Sequence, residues 1–445
     1  MTASLDIVIE VLETGTQLWT HILVMEPCVR VLRPKRNAVR TAALLAGALA
    51  AAVAVAQQPE DAFSLGESLA RGRFTLELRP RYNRIEESVY PETTQGGTVR
   101  ASAGWRSAPY RGLRLTVEAI HADHFGPKSF NDDPALLGVS PYPLLPDPRY
   151  TGLNQAHVEY AGLEGLRLRV GRQIVRVDNQ RWVSDNDFRQ IPQVFDGISL
   201  VHTGVENVEL AAAHYWRVRS TSGVSASLKL SVLRAAWNPL PGHSLSAYGY
   251  FHDQAQNGAF TGFADNSYRV AGAKAEGASR ALGSIEVPYI VEYAQQRPYA
   301  DGNARVNANY WRAGAGLASA HWTLRFDQEV KGSNEGRYGL QMPLTDFYAF
   351  NGWTLHFFNT PRQGLRDRWL TLRYALGPVT LHGETHRFHS DRGGIDLGRE
   401  HDLGVTYVLN ENSVVRLQHA RYEPGAANPD DPTIRKTWLT VSYTY

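Results

Sequence analysis

From residue 72 onward, apolar and polar positions alternate in short runs, and the alternation never gives way to a helical period. In RGRFTLELRPRY, Phe74, Leu76, Leu78 and Tyr82 fall on one face, and Arg73, Thr75, Glu77, Arg79 and Arg81 on the other. The same period of two returns at 166–170, 285–293, 321–327 and 370–374. It is the period of a strand, whose successive side chains point to opposite faces. A half-buried strand of a soluble sandwich would look the same locally. Two features separate the cases. Run after run reaches about ten residues, the length a tilted strand needs to cross a bilayer. Aromatic residues also sit at the strand ends, where membrane barrels carry their interfacial girdles.

The pattern predicts strands near 72–82, 97–106, 111–123, 152–162, 165–175, 193–203, 207–217, 225–237, 243–252, 267–278, 283–295, 308–317, 321–331, 366–376, 378–388, 399–409, 413–422 and 435–445. The linkers alternate in length. Short ones fall at 107–110, 163–164, 204–206, 238–242, 318–320, 377 and 410–412. Long ones fall at 83–96, 124–151, 176–192, 253–266, 296–307, 332–365, 389–398 and 423–434. The expected fold class is therefore all-β: a transmembrane antiparallel β-barrel of about 18 strands, with short periplasmic turns and long extracellular loops. An even count puts both ends of the barrel in the periplasm. Parity assigns the apolar patch 347–358 to a long loop, external or folded inward, rather than to another strand.

Mean hydropathy is only −0.33, which alone suggests a soluble protein. A closed barrel removes the conflict. Lipid requires an apolar surface on one face only, and no backbone group is left at an open edge. The net charge of +2 argues against nucleic acid as a partner.

The first 56 residues read as an address. Arg33, Lys35, Arg36 and Arg40 precede a run of small and apolar residues at 41–56, which ends in Ala54-Val55-Ala56 before Gln57. That is a secretory signal peptide with its cleavage site after Ala56. The acidic stretch ahead of the basic cluster suggests a start assigned too early, with translation beginning near Val31. Cleavage would remove Cys28 and leave 57–445 as a single cysteine-free barrel domain, without disulfides or thiolate metal sites. At the other end, Leu439, Val441, Tyr443 and Tyr445 alternate up to a terminal aromatic. This resembles the signal by which the barrel-assembly machinery recognises outer-membrane proteins.

Strand phase sorts the charges. Of the 46 basic residues, all but Lys35, Lys128, Lys229, Lys274, Lys331 and Lys436 are arginine. The lumen phase holds Arg73, Arg79, Arg81, Arg100, Arg106, Arg114, Arg167, Arg169, Lys229, Arg312, Arg325, Arg373 and Arg416. Against them stand Glu77, Glu118, Glu159, Glu209, Glu286, Glu292, Asp327, Glu329 and Glu384. Rings of arginine select anions in a pore, whereas paired ladders would be scaffold; both readings remain open on sequence. Arg172, Arg181 and Arg189 join the candidate pore lining, although Arg172 closes a strand and either face is open to it. A loop carrying Arg176, Arg181 and Arg189 is expected to fold inward and narrow the lumen, with Asp178, Asp185, Asp187 and Asp196 as acidic partners.

That segment carries a signature. "GRQ" closes one strand (Gly171, Arg172, Gln173), Arg181 lies in a charged loop, and "FRQ" (Phe188, Arg189, Gln190) precedes "FDG" (Phe195, Asp196, Gly197) opening the next strand. The arrangement resembles the alginate-export family of outer-membrane porins. The resemblance implies a monomeric eighteen-stranded barrel whose arginine-rich lumen passes an anionic polysaccharide or its oligomers. A general or small-anion-selective porin and a structural or surface-binding barrel are the alternatives. The mature length is short for the best-known exporters, which leaves the gating open.

Other constellations predict little. His382, Glu384 and His386 share one strand face, with His389 nearby, but residues two apart on one strand rarely converge on an ion without a third element. No metal or cofactor is expected. The acidic runs 131–133 and 430–431 read as solvated loops. No Ser–His–Asp order or G-x-S-x-G appears, so the chain reads as a channel in contact with outer-membrane lipid and not as an enzyme.

Overall fold

The computed structural model describes residues 64–253 and 267–445. The expected signal peptide, Cys28 and most of the 253–266 loop lie outside the described residues. A six-residue helix, α1 (Leu65–Ala70), comes first. Ser64 caps it in a reciprocal box with Glu67. Ser68 ties it to the barrel by donating from Oγ to the Ala108 carbonyl at 2.6 Å.

The strands follow in this order: β1 (Arg73–Glu87), β2 (Thr94–Arg106), β3 (Leu113–Ser129), β4 (Tyr150–Leu163), β5 (Leu166–Gln173), β6 (Val194–Val205), β7 (Val208–Arg219), β8 (Ser225–Leu240), β9 (His243–Asp253), β10 (Tyr268–Leu282), β11 (Ile285–Pro298), β12 (Ala308–Ala318), β13 (Trp322–Lys331), β14 (Ser333–Asn334), β15 (Tyr338–Gly339), β16 (Leu365–Leu376), β17 (Val379–His389), β18 (Asp396–Asn410), β19 (Ser413–Glu423) and β20 (Ile434–Thr444). Eighteen of them form one antiparallel sheet in which β13 pairs with β16 and β20 pairs back onto β1. β14 and β15 form a small hairpin inside the long 332–364 loop. Closure extends to the C-terminus, where Leu76 and Tyr445 exchange both backbone hydrogen bonds at 2.8 and 3.0 Å. Each of the eighteen predicted strands has its counterpart. The apolar patch 347–358 lies in the 332–364 loop, as parity required.

The apolar pattern is inverted relative to a soluble protein. Leu76, Leu233, Leu370, Leu372, Leu403 and Leu417 are all exposed on the outer face, as lipid-facing residues of a barrel must be. Exposed aromatics sit toward the strand ends, with Phe74, Trp237, Tyr374 and Tyr407 near the short turns. Tyr82, Trp216 and Tyr293 lie nearer the long loops. The buried apolar residues are inside instead. Trp182, Val183, Phe195, Tyr215, Leu230, Tyr248, Tyr250, Tyr310, Leu340 and Leu344 form one cluster. It joins the walls of β6–β12 to two loops folded into the barrel.

The signature glycines have a backbone role. Gly171 and Gly197 are direct cross-strand partners. Gly171 has φ +124, and a Cβ there would lie 2.3 Å from the Ala156 carbonyl oxygen. A Cβ on Gly197 would lie 2.4 Å from that of His214. Both positions need a residue without a side chain. Register shifts at Asp196/Gly197 mark the bend where the strand leads out of the loop.

Candidate functional site

The 174–193 segment runs through the barrel interior and is held on one side by arginines of β1 and β2. Arg79 donates from Nε to Gln190 Oε1 at 3.2 Å, from Nη1 to the Asp187 carbonyl at 2.8 Å, and from Nη2 to the Arg189 carbonyl. Arg81 donates to the Phe188 carbonyl at 2.7 Å and stacks over the Phe188 ring at 4.3 Å. Arg100 pairs with Asp187 at 2.8 Å and with Glu77. On the far side, Trp182 Nε1 donates to Tyr248 Oη at 3.1 Å and Glu292 at 3.2 Å. The loop is thus fixed at both edges, like a bar across the lumen.

Arg181 is its deepest anchor. Only 1% of it is exposed. Its guanidinium meets the Glu329 carboxylate bidentately at 2.5 and 2.8 Å. It also donates to Thr345 Oγ1 at 3.2 Å and Asn351 Oδ1 at 3.0 Å. Tyr310 Oη and Asn351 Nδ2 complete the Glu329 shell. Because Thr345 and Asn351 belong to the 332–364 loop, one arginine joins wall, first loop and second loop. Phe188 stacks on Tyr348 of the second loop with centroids 3.5 Å apart. A third loop, between β3 and β4, adds Asp147, which pairs with Arg189 at 3.2 Å and Arg81 at 3.7 Å. Burial pushes the Asp147 carboxyl up, but Arg189 and Arg81 outweigh it and hold the group below the usual carboxylate range.

Several expected pairings change. Of the loop arginines, only Arg176 uses a carboxylate of its own loop, Asp185 at 2.6 Å, with Asp187 at 3.7 Å. Arg181 reaches Glu329 and Arg189 reaches Asp147. Asp178 instead pairs with Arg234 at 2.5 Å and Lys274 at 3.7 Å. Arg172 and Asp196 pair with each other, at 2.7 and 2.9 Å. Strand alternation places them on the face away from Arg169 and Gln173. Arg172 is therefore not pore-lining, and Asp196 is not a constriction partner. Lys229 also faces outward, beside Asp253, because Leu228 and Leu230 take the inward phase.

The remaining candidates lie on the lumen phase nearer the short turns. Glu159 gathers Arg169 at 2.7 Å, Arg106 at 3.2 Å and Arg114 at 3.5 Å. Three guanidiniums share one carboxylate, leaving positive charge in excess. Arg325 and Arg312 share Asp327, at 2.5 and 2.9 Å. Arg73, Arg167, Arg373 and Arg416 are exposed. Among the described residues they have no ion-pair partner.

A second polar centre was only half visible in the sequence. His382 and Glu384 are 3.0 Å apart, and His386 Nε2 lies 3.3 Å from Glu384. The third element missing from one strand is Asp402 on β18, 3.8 Å from His386 Nε2. Ligand atoms of Glu384, His386 and Asp402 lie within 4.8 Å of one another, a set that could hold a metal ion. Asp367 fixes the other imidazole nitrogen at 3.0 Å. The second loop caps this centre: Thr354 donates to Glu400 from N at 2.6 Å and Oγ1 at 2.5 Å, and Trp353 N donates to Asp402 at 3.3 Å. The inward phase of Glu400 and Asp402 was readable from the β18 alternation. Their loop partners were not.

A family model described as Alginate export matches residues 98–350, more than half of the chain. The chain belongs to the alginate export family. Outer-membrane porins share its fold. OpdK of Pseudomonas aeruginosa, solved with vanillate, is 13% identical, with a TM-score of 0.64 over 85% of this chain and 99% of that one. OccAB2 of Acinetobacter baumannii is 15% identical, with a TM-score of 0.65 over 85% and 99%. OccK9 (OpdG) of P. aeruginosa matches at the same values as OccAB2. No curated protein matches the chain. This alginate export family member is a channel of the bacterial outer membrane.

Proposed function

We propose that this channel passes anionic saccharide chains or their oligomers, guided by guanidinium groups on the lumen wall. One observation supports the reading: Arg73, Arg167, Arg373 and Arg416, on the lumen phase near the short turns, are exposed and have no carboxylate partner among the described residues. Guanidinium forks match carboxylates in geometry and remain charged at any working pH. Set around a low-dielectric passage, they raise the local concentration of anions. Because they are exposed, each contact is weak, so a polyanion can step from one to the next. The shared Glu159 cluster extends the basic wall across β2–β5. We read the chain as a monomer.

A second reading, a porin for small carboxylates, is favoured by the two loops packed across the upper lumen. Vanillate, bound by OpdK in its own structure, is an aromatic carboxylate of that size. Single-channel recording in planar bilayers separates the readings. Oligouronates added on the short-turn side should interrupt the current at lower concentration than either vanillate or a neutral oligosaccharide of equal length. Equal block by charged and neutral oligomers would remove the saccharide-guide reading. Stronger block by vanillate would favour the small-carboxylate porin.

A further inference from the structure

The lumen accounts for only part of the arginine excess. Another part lies on the outside of the barrel, at the long-loop ends of six adjoining strands. Arg84 on β1, Arg368 on β16, Arg387 on β17, Arg399 on β18, Arg421 on β19 and Arg435 on β20 are all exposed. Strand phase places them outward. They alternate with buried, inward residues such as Asn83, Trp369, His386, Glu400, Tyr422 and Ile434. Below them on the same phase comes the apolar band of Leu370, Leu372, Leu403, Leu417 and Leu439.

Their registration is electrostatically unfavourable. Arg368 stands directly opposite Arg387, Arg387 opposite Arg399, and Arg421 opposite Arg435. Such partners hold their Cβ atoms about 5 Å apart, and like charges at that distance destabilise a sheet. Among the described residues only two carboxylates moderate them. Glu423 bridges Arg399 and Arg421 at 2.5 Å each. Glu86 takes Arg84 at 2.6 Å and Arg435 at 3.4 Å. Arg368 has the neutral Gln328 Oε1 at 2.5 Å. Arg387 has no ion pair among the described residues. Six cations therefore face two anions where the chain leaves hydrocarbon for the extracellular headgroup layer.

We propose that this outward arginine belt is a binding site for a phosphorylated glycolipid of the outer leaflet. The headgroup phosphates lie between opposed guanidiniums, and the acyl chains run down the leucine band. Charge complementarity selects the occupant. A phosphate brings more than one negative charge and several acceptor oxygens, enough to bridge two arginines. Continuity with the apolar band selects a lipid over a free ion. The belt lies outside the lumen, so the inference stands or falls independently of what the channel carries.

The test uses the full barrel in neutral detergent, with native mass spectrometry reading bound lipid. Bisphosphorylated lipid A should be retained, and the Arg387→Gln/Arg399→Gln/Arg421→Gln variant should bind it at least tenfold more weakly. Lipid A stripped of its phosphates should bind like the variant, and inorganic phosphate should not compete at equal concentration. Unit conductance, set by the lumen, should be unchanged and so reports an intact barrel. The single variant Arg387→Gln removes no ion pair and provides a milder probe with the same expected direction. Equal lipid binding by wild type and variants would overturn the proposal. So would equal binding of the dephosphorylated lipid, or full competition by inorganic phosphate.

Discussion

The lumen-phase arginines of this barrel divide into anchors and proposed guides, and burial draws the line. Arg181 and Glu329 are almost wholly enclosed, with side-chain exposures of 2% and 1%. A buried pair of this kind is costly to break from one side, because the surviving charge loses its partner. Glu329→Gln is therefore expected to destabilise the loop region by about 3–5 kcal/mol. Release of the bar across the lumen should appear as larger and noisier unit conductance and as new protease cleavage within 332–364. Unaltered conductance and cleavage would show that the loops are held elsewhere. Asp147 offers a pH handle on the same latch. Its folded pKa is depressed by Arg189 and Arg81. Its stabilising contribution is therefore complete above the unfolded value of about 4, and is lost as pH falls through the lower folded value. Wild-type conductance should stay constant from neutral pH to about 4 and rise only below it. Asp147→Asn should show the raised conductance already at neutral pH.

Strands were legible because two-residue alternation against lipid is a local signal. Phe74, Leu76 and Leu78 announce β1 without reference to any other part of the chain. The loops were not legible in the same way, because their partners are remote. Arg181 reaches Glu329 across 148 positions, and Arg79 reaches Gln190 across 111. Sequence proximity suggests Asp178 as a partner for the loop arginines, but the fold brings the wall residues Arg234 and Lys274 closer to it. Arg172 was misplaced because it sits at the bend beside Gly171, where one position of phase decides the face. The two-faced strand itself can be tested on neighbouring residues. Leu370→Arg places a charge in the lipid band near the middle of β16 and should cost about 2–4 kcal/mol in urea unfolding from lipid vesicles. Thr371→Arg, one position on, faces the lumen and should cost far less. Equal costs would contradict the assigned faces.

At the scale of the molecule, loops fold into the long-loop half of the barrel, and exposed arginines lie on the lumen phase toward the short turns. Arg79, Arg81, Arg100 and Arg181, candidates for the pore lining, are buried beneath the loops they hold. Arg167, Arg373 and Arg416 remain exposed, and Arg73 joins them. The excess of arginine was readable from composition and phase. Its division into anchors and guides was not, because that depends on where three long loops fold. On the proposed function, the exposed arginines without an ion pair among the described residues set the ion preference of the channel. This is tested most directly by the reversal potential of single channels under a potassium chloride gradient, comparing wild type with a variant in which Arg73, Arg167, Arg373 and Arg416 are all glutamate. None of the four holds a loop, so the barrel should assemble, and each change reverses the local sign in a passage that screens charge less than bulk water. Wild type should give a potential on the chloride side, and the variant one reversed to the potassium side. An unchanged chloride preference in an intact variant barrel would contradict the proposed function.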